Sequence, residues 1–255
     1  LRIFEVPRFS SFVQAFPGMI PFSEGFGFIA KIDTDIEAYN YPFFIAAHET
    51  AHQWWAHQEV GAGVNGATTT TEMIAQYSAL MVAKQDLTKS ELLKLLTFFL
   101  NGYLYERSIE NDKESTMLLN ENQIYLNYDK SILVMNTLVD FIGEDSINSA
   151  LASYIKHVAY QESPYTTSAE LIDHFKQVTP DSLLYLYTDL FEKITLYSNR
   201  TDKAEYKKLD NGKYEVNLSI EAKKFYADSI GNEEQTPVDE WIDVVVFADD
   251  AQEHA

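Results

Sequence analysis

The sequence predicts an α+β fold in which a small N-terminal sheet leads into a helical bundle, followed by a small β-rich module. Three observations carry this. Short β-prone runs broken by Pro7, Pro17, Gly18 and Pro21 fill the first forty residues. Apolar residues then recur three and four apart across residues 42–194. Beyond them, alternating runs flank an Asn211-Gly212 turn.

In order, strands are expected at residues 1–6, 11–16 and 27–32. A first helix is expected at 42–56, with Asn40 near the cap and Pro42 in the first turn. A Gly-rich loop at 61–66 precedes a second helix that runs to about residue 84, with the threonine run at 68–71 as its cap. Further helices fit 89–106, 129–142, 145–160, 168–178 and 181–193, and residues 108–127 read as a polar connector. Strands at 214–220 and 241–247 belong to the last module.

Composition narrows the function. At 255 residues and 46% hydrophobic, the chain can bury a real core. Its 39 acidic against 19 basic residues give a net charge of −20, which argues against nucleic acid or an anionic membrane surface as partner. The absence of cysteine removes disulfides, thiolate metal sites and cysteine nucleophiles, so any metal must be held by His, Asp or Glu. No apolar run reaches the ~20 residues that a spanning helix needs. The chain opens at Leu1 without Met or a leader, which reads as a piece of a longer protein.

Residues 48–55 read His-Glu-Thr-Ala-His-Gln-Trp-Trp. His48 and His52, four apart on a helix, project from one face toward a single ion. Glu49, one step round, can reach a metal-held water without ligating the metal, as a general base requires. An ordinary helix with two hydrogen-bonded histidines would read the same way, and the pattern arises by chance in about one such chain in a hundred. A catalytic zinc needs a third protein ligand, and Glu72 near the start of the next helix supplies a candidate. A glutamate there is also favoured by the helix dipole alone. Gln76, one turn on, can orient a ligand.

Together, His48-Glu49-Thr50-Ala51-His52 and Glu72 resemble the zinc site of the aminopeptidase N family of gluzincin metallopeptidases, with one residue more than usual between the second His and the Glu. The resemblance implies a thermolysin-like catalytic domain over residues 1–196, a partial β-sandwich over 197–255, and Zn2+ held by His48, His52 and Glu72. It implies Glu49 as the base. Tyr128 in Tyr128-Asp129-Lys130-Ser131 looks like the family's oxyanion-stabilising tyrosine. Glu24 in Pro21-Phe22-Ser23-Glu24-Gly25 occupies the place of the family glutamate that contacts the substrate's α-amine, although the residues around it differ. The implied activity is removal of N-terminal residues from peptides with a free amino terminus. A zinc endopeptidase and a non-catalytic binding or sensing module are the alternatives. The closest variants by motif look like forms fused to membrane segments.

Overall fold

The computed structural model describes residues 1–7, 12–30, 40–121, 123–242, 244–247 and 253–254. It is 48% helical and 21% strand, so the mixed α and β class holds. The chain divides into two compact units, Leu1–Glu192 and Lys193–Ala255.

In the first unit, β1 (Arg2–Val6) runs parallel to β2 (Met19–Ser23), with Arg2 opposite Met19 and Val6 opposite Ser23. The strand expected at 11–16 is only a pair of isolated bridges, Val13 to Phe22 and Phe16 to Met19, that fold back on β2. The strand itself is β2, where the sequence reading placed none. Pro21 is tolerated because it contributes an acceptor, taking the Gln14 N–H at 3.4 Å, where a donor is not required. The strand expected at 27–32 is also absent among the described residues. There, α1 (Glu24–Gly27) ends in a turn in which the Phe28 and Ile29 N–H groups share the Glu24 carbonyl. A β-carbon on Gly27 would stand 2.6 Å from the Phe22 ring. Residues 31–32 lie outside the described residues.

Helix α2 (Tyr41–Ala51) starts as expected, with the Asn40 side chain accepting from Phe43 N–H at 3.1 Å and Pro42 in the first turn. It stops five residues short of 56, because Gln58 and Glu59 both donate to the Trp54 carbonyl and curl the chain into a turn. A π-helical segment, Thr69–Met73, leads into α3 (Ile74–Ala83). The threonine cap does not form. Thr69, Thr70 and Thr71 instead donate their hydroxyls to the carbonyls of Met117, Ala67 and Thr68, which makes them donors where an N-cap must accept.

Helix α4 (Lys89–Ile109) opens on a Thr88/Glu91 capping box. The connector contains a 3₁₀ turn, Met117–Leu119, and a second π-helical segment, Leu126–Lys130, begins the helix continued by α5 (Ser131–Ile142). Then come α6 (Glu144–Val158) and α7 (Ser168–Gln177). The last expected helix breaks into a 3₁₀ turn at Asp181–Leu183, a short α8 (Tyr185–Tyr187) and a third π-helical segment, Thr188–Glu192. Phe44 of α2, Leu80 and Ala83 of α3, Leu95 and Phe99 of α4 and Ile132 of α5 form one buried cluster that clamps these helices together. No helix among the described residues is long and apolar enough to cross a membrane.

In the second unit, β3 (Ile194–Lys208), β4 (Tyr214–Ala227) and β5 (Glu233–Thr236) form an antiparallel sheet in that order. The turn at Asn211-Gly212 connects the first two, with Gly212 at φ 81°. The run expected at 241–247 is a strand only at β6 (Val246–Phe247), paired with β7 (Glu253–His254), and residue 243 lies outside the described residues.

Candidate metal centre

His48 lies in the last turn of α2 and His52 is its C-cap residue, so the helix ends where the two rings converge. Their Nε2 atoms are 3.1 Å apart. Glu72 comes from the π-helical segment ahead of α3, and its Oε2 lies 3.2 Å from His48 Nε2 and 3.5 Å from His52 Nε2. Among the described residues this trio is the group of His, Asp and Glu able to hold a metal ion.

The hydrogen bonds behind the rings decide which atoms face the centre. Gln76 Nε2 donates to the Tyr128 carbonyl at 3.0 Å, and a carbonyl can only accept. Gln76 Oε1 is therefore the atom facing His48, and their 2.9 Å contact needs the proton on His48 Nδ1. His52 Nδ1 likewise donates to the Trp55 carbonyl at 2.7 Å. Each neutral ring is left with a bare lone pair on Nε2, and these point at one another and at a carboxylate oxygen. Glu72 Oε2 is buried with no hydrogen-bond partner.

Three acceptors converging without a donor repel one another unless positive charge sits between them. Burial pushes the Glu72 carboxyl up, yet the two histidines hold it well below the usual carboxylate range. Burial pulls His52 down, yet Glu72 raises it overall. Glu72 and His52 thus each favour positive charge in the centre, a proton or a metal ion. A tetrahedral zinc with bonds of about 2.0–2.2 Å needs ligand-to-ligand edges of about 3.3–3.6 Å, close to the triangle present. The trio fits the ion in donor type, tautomer and spacing.

Glu49 is buried beside the trio, and its Oε2 has no partner. Burial raises its carboxyl, against the lowering effect of His48, His52 and a backbone hydrogen bond from Ala15. The Tyr128 ring centroid is 5.7 Å from that of His48, with the Glu72 carboxylate close enough to act on its hydroxyl. Burial and the neighbouring carboxylates hold that phenol above its ordinary range, so at neutral pH it remains an O–H donor. Six of the seven residues singled out in the sequence, His48, Glu49, His52, Glu72, Gln76 and Tyr128, are thereby brought together.

Glu24 is the exception. It begins α1, and its influence is on Glu5, whose carboxyl is raised by slight desolvation and by Glu24. The chain just before β2 does touch the centre's helix: Gln53 of the motif accepts from Gly18 N–H at 2.8 Å and donates to the Phe16 carbonyl at 3.1 Å. The Trp55 carbonyl, which fixes the His52 tautomer, was not legible in advance, because it depends on α2 ending early. Gln76 was, from its position one turn after Glu72.

No family model matches this sequence, and no curated protein matches it. In three dimensions the chain is similar to an M1 zinc metallopeptidase from Deinococcus radiodurans, solved as a mutant with a Tyr-Ser-Ala substrate, at 13% identity and a TM-score of 0.52. The match covers 74% of this chain and 38% of that one. At that identity the likeness concerns fold, and the fold is metallopeptidase-like.

Proposed function

We propose that this chain is the catalytic part of a zinc peptidase that removes amino-terminal residues from peptides. The observation that carries the reading is the inward-facing triangle of His48 Nε2, His52 Nε2 and Glu72 Oε2, with the unpaired Glu49 carboxylate beside it. Residues 1–196 would form the peptidase domain, and 197–255 part of a β-sandwich.

His48, His52 and Glu72 would hold the ion, which when bound lowers the pKa of a water toward about 7 and polarises a carbonyl. Glu49 would take the proton of the attacking water and return it to the leaving amine. The Tyr128 hydroxyl would donate to the substrate carbonyl oxygen as it becomes negative. Glu24 would receive the substrate's ammonium, a charge-assisted contact that an acetylated amine cannot make. Retention of Glu49 beside the trio speaks against a purely structural metal site, which has no use for a base.

The test is hydrolysis of free and N-acetylated peptides by the full-length protein, before and after chelation. Chelation should abolish cleavage, and free peptides should be cleaved far faster than acetylated ones. A second reading, a zinc endopeptidase, is favoured by Pro21, Ser23 and Gly25 around Glu24, which depart from the amine-anchoring segment, and it predicts equal cleavage of the two peptides together with indifference to Glu24→Ala.

A further inference from the structure

We propose that Lys130, paired with Glu114, is a positioning residue that holds the Tyr128 hydroxyl at the metal centre. This rests on the reading of Tyr128 as the oxyanion donor. Lys130 and Tyr128 belong to the π-helical segment Leu126–Lys130, which is held to several neighbours. Leu126 is fully buried, Asn127 accepts from the Asn120 amide at 2.5 Å, and the Tyr128 carbonyl accepts from Gln76. The Asp129 carboxylate lies against Gly102 of α4, with Oδ2 only 2.9 Å from where a β-carbon would stand.

Residues two apart on a helical turn do not share a face. With the Tyr128 ring against His48, Lys130 therefore points the other way, toward α4. There its Nζ lies 4.0 Å from Glu114 Oε1 and 5.0 Å from the centroid of the Tyr103 ring. Glu114 is itself buried, accepting from the Tyr103 hydroxyl at 3.1 Å and from Arg107 Nε at 2.7 Å. Its carboxylate is thus fixed to α4 before Lys130 arrives, and it serves as an anchor for the segment.

A buried ammonium is an expensive way to fill this space. Lys130 Nζ makes no hydrogen bond, and desolvation pulls its pKa down to about 8 even though Glu114 opposes the shift. A methionine would occupy a similar volume without that cost, and buried ion pairs replaced by apolar residues often lose nothing in stability. What an apolar side chain lacks is a preferred partner. Charge attraction to a carboxylate already locked by Tyr103 and Arg107 selects one depth and one rotation of the segment, and so one position for the hydroxyl two residues earlier. The arrangement suits a registry device better than a source of stability.

The experiment measures Lys130→Met, Glu114→Gln and Tyr128→Phe, singly and with each of the first two combined with the third, in the full-length protein. Lys130→Met should lower kcat by about 10² with KM and zinc content unchanged, the scale of a misplacement of about 1 Å. Lys130→Arg should restore most of it. On the Tyr128→Phe background, Lys130→Met should cost no more than about twofold further, because it acts through a hydroxyl already removed. Full turnover in Lys130→Met, or an undiminished further loss on the Tyr128→Phe background, overturns the proposal. If Lys130→Met does not fold, Glu114→Gln carries the same comparison. A readout independent of activity uses 3-fluorotyrosine-labelled, metal-free protein, in which the Tyr128 ¹⁹F resonance is identified by its loss in Tyr128→Phe. That resonance should move or broaden in Lys130→Met, and an unmoved resonance overturns the proposal. Failure to bind zinc refutes the peptidase reading, and full turnover in Tyr128→Phe refutes the oxyanion role of Tyr128 on which the proposal rests, while the ¹⁹F comparison still reads whether Lys130 positions the ring.

Discussion

Two buried polar clusters lie at the end of α2 and the turn that follows it, and they meet the same electrostatic problem in opposite ways. At the metal centre, His48, His52 and Glu72 turn lone pairs toward one point that no donor among the described residues reaches. In the other cluster, Glu59 is fully buried, with Oε2 unpaired and the Thr70 hydroxyl against it. Its Oε1 lies 3.4 Å from the Tyr154 hydroxyl, which in turn lies 3.1 Å from Thr166 Oγ1. Thr166 donates to Glu170 Oε2 at 2.7 Å, and Glu170 reaches His157 at 3.5 Å near the surface.

Counting protons separates the two. Thr166 gives its proton to Glu170 and Thr70 gives its own to the Ala67 carbonyl at 2.8 Å, so Glu59 receives only the long 3.4 Å bond from Tyr154, whose proton is shared with Thr166 Oγ1. With one long hydrogen bond to Oε1 and none to Oε2, Glu59 is best satisfied by being protonated. Burial accordingly raises its carboxyl to about 7, against smaller lowering effects of Thr70, Tyr154 and His52. A buried group of acceptors needs positive charge. One cluster is shaped to take a dication from three sides, whereas the other needs only a proton on one oxygen.

The largest effect expected from breaking this contrast is at Glu49. Glu49→Gln keeps size and polarity but removes the base, so turnover should fall by at least about 10²–10⁴ while zinc content stays at the wild-type level. Zinc lost together with activity would show that Glu49 serves the ligands and not the water. Next comes Gln76→Leu, which frees the His48 ring from its fixed tautomer. Zinc affinity should drop by about 10–100-fold, read from competition with a chromophoric chelator, while Glu59→Gln leaves it unchanged. An unaltered affinity in Gln76→Leu would mean that the tautomer is fixed by something else.

The smallest effect belongs to the proton-holding cluster. Glu59 has a folded pKa of about 7 against an ordinary value of 4.5. Between those values the native state binds the extra proton, so the stabilisation is complete below about 4.5 and is lost as pH rises through 7. A shift of that size corresponds to on the order of 3 kcal/mol. Urea unfolding of wild type and Glu59→Gln at pH 5 and pH 8 should show the wild type losing more stability over that interval. Parallel losses in the two proteins would place Glu59 in a better-hydrated site than its burial indicates.

The sequence made the ligands legible because His48 and His52 obey a helical spacing and Glu72 opens the next helix. It did not reveal the π-helical segments that carry Glu72 and Tyr128. A shifted backbone hydrogen-bond pattern leaves no mark in the period of apolar residues, and such segments often occur at functional sites. The Lys130–Glu114 pair was hidden because its members are sixteen residues apart across a polar connector. Strand β2 was obscured by Pro21, and the threonine cap failed because its hydroxyls found carbonyls. Local periodicity thus located the chemistry, and long-range hydrogen bonding set its orientation.

The central claim, that the trio around His48 takes a metal where the Glu59 cluster takes a proton, is tested most directly by elemental analysis of protein dialysed against zinc and then against buffer. One zinc per chain is expected in the wild type and in Glu59→Gln, with most of it gone in Glu72→Ala. Zinc retained in full by Glu72→Ala, or none bound by a folded wild type, would contradict the account.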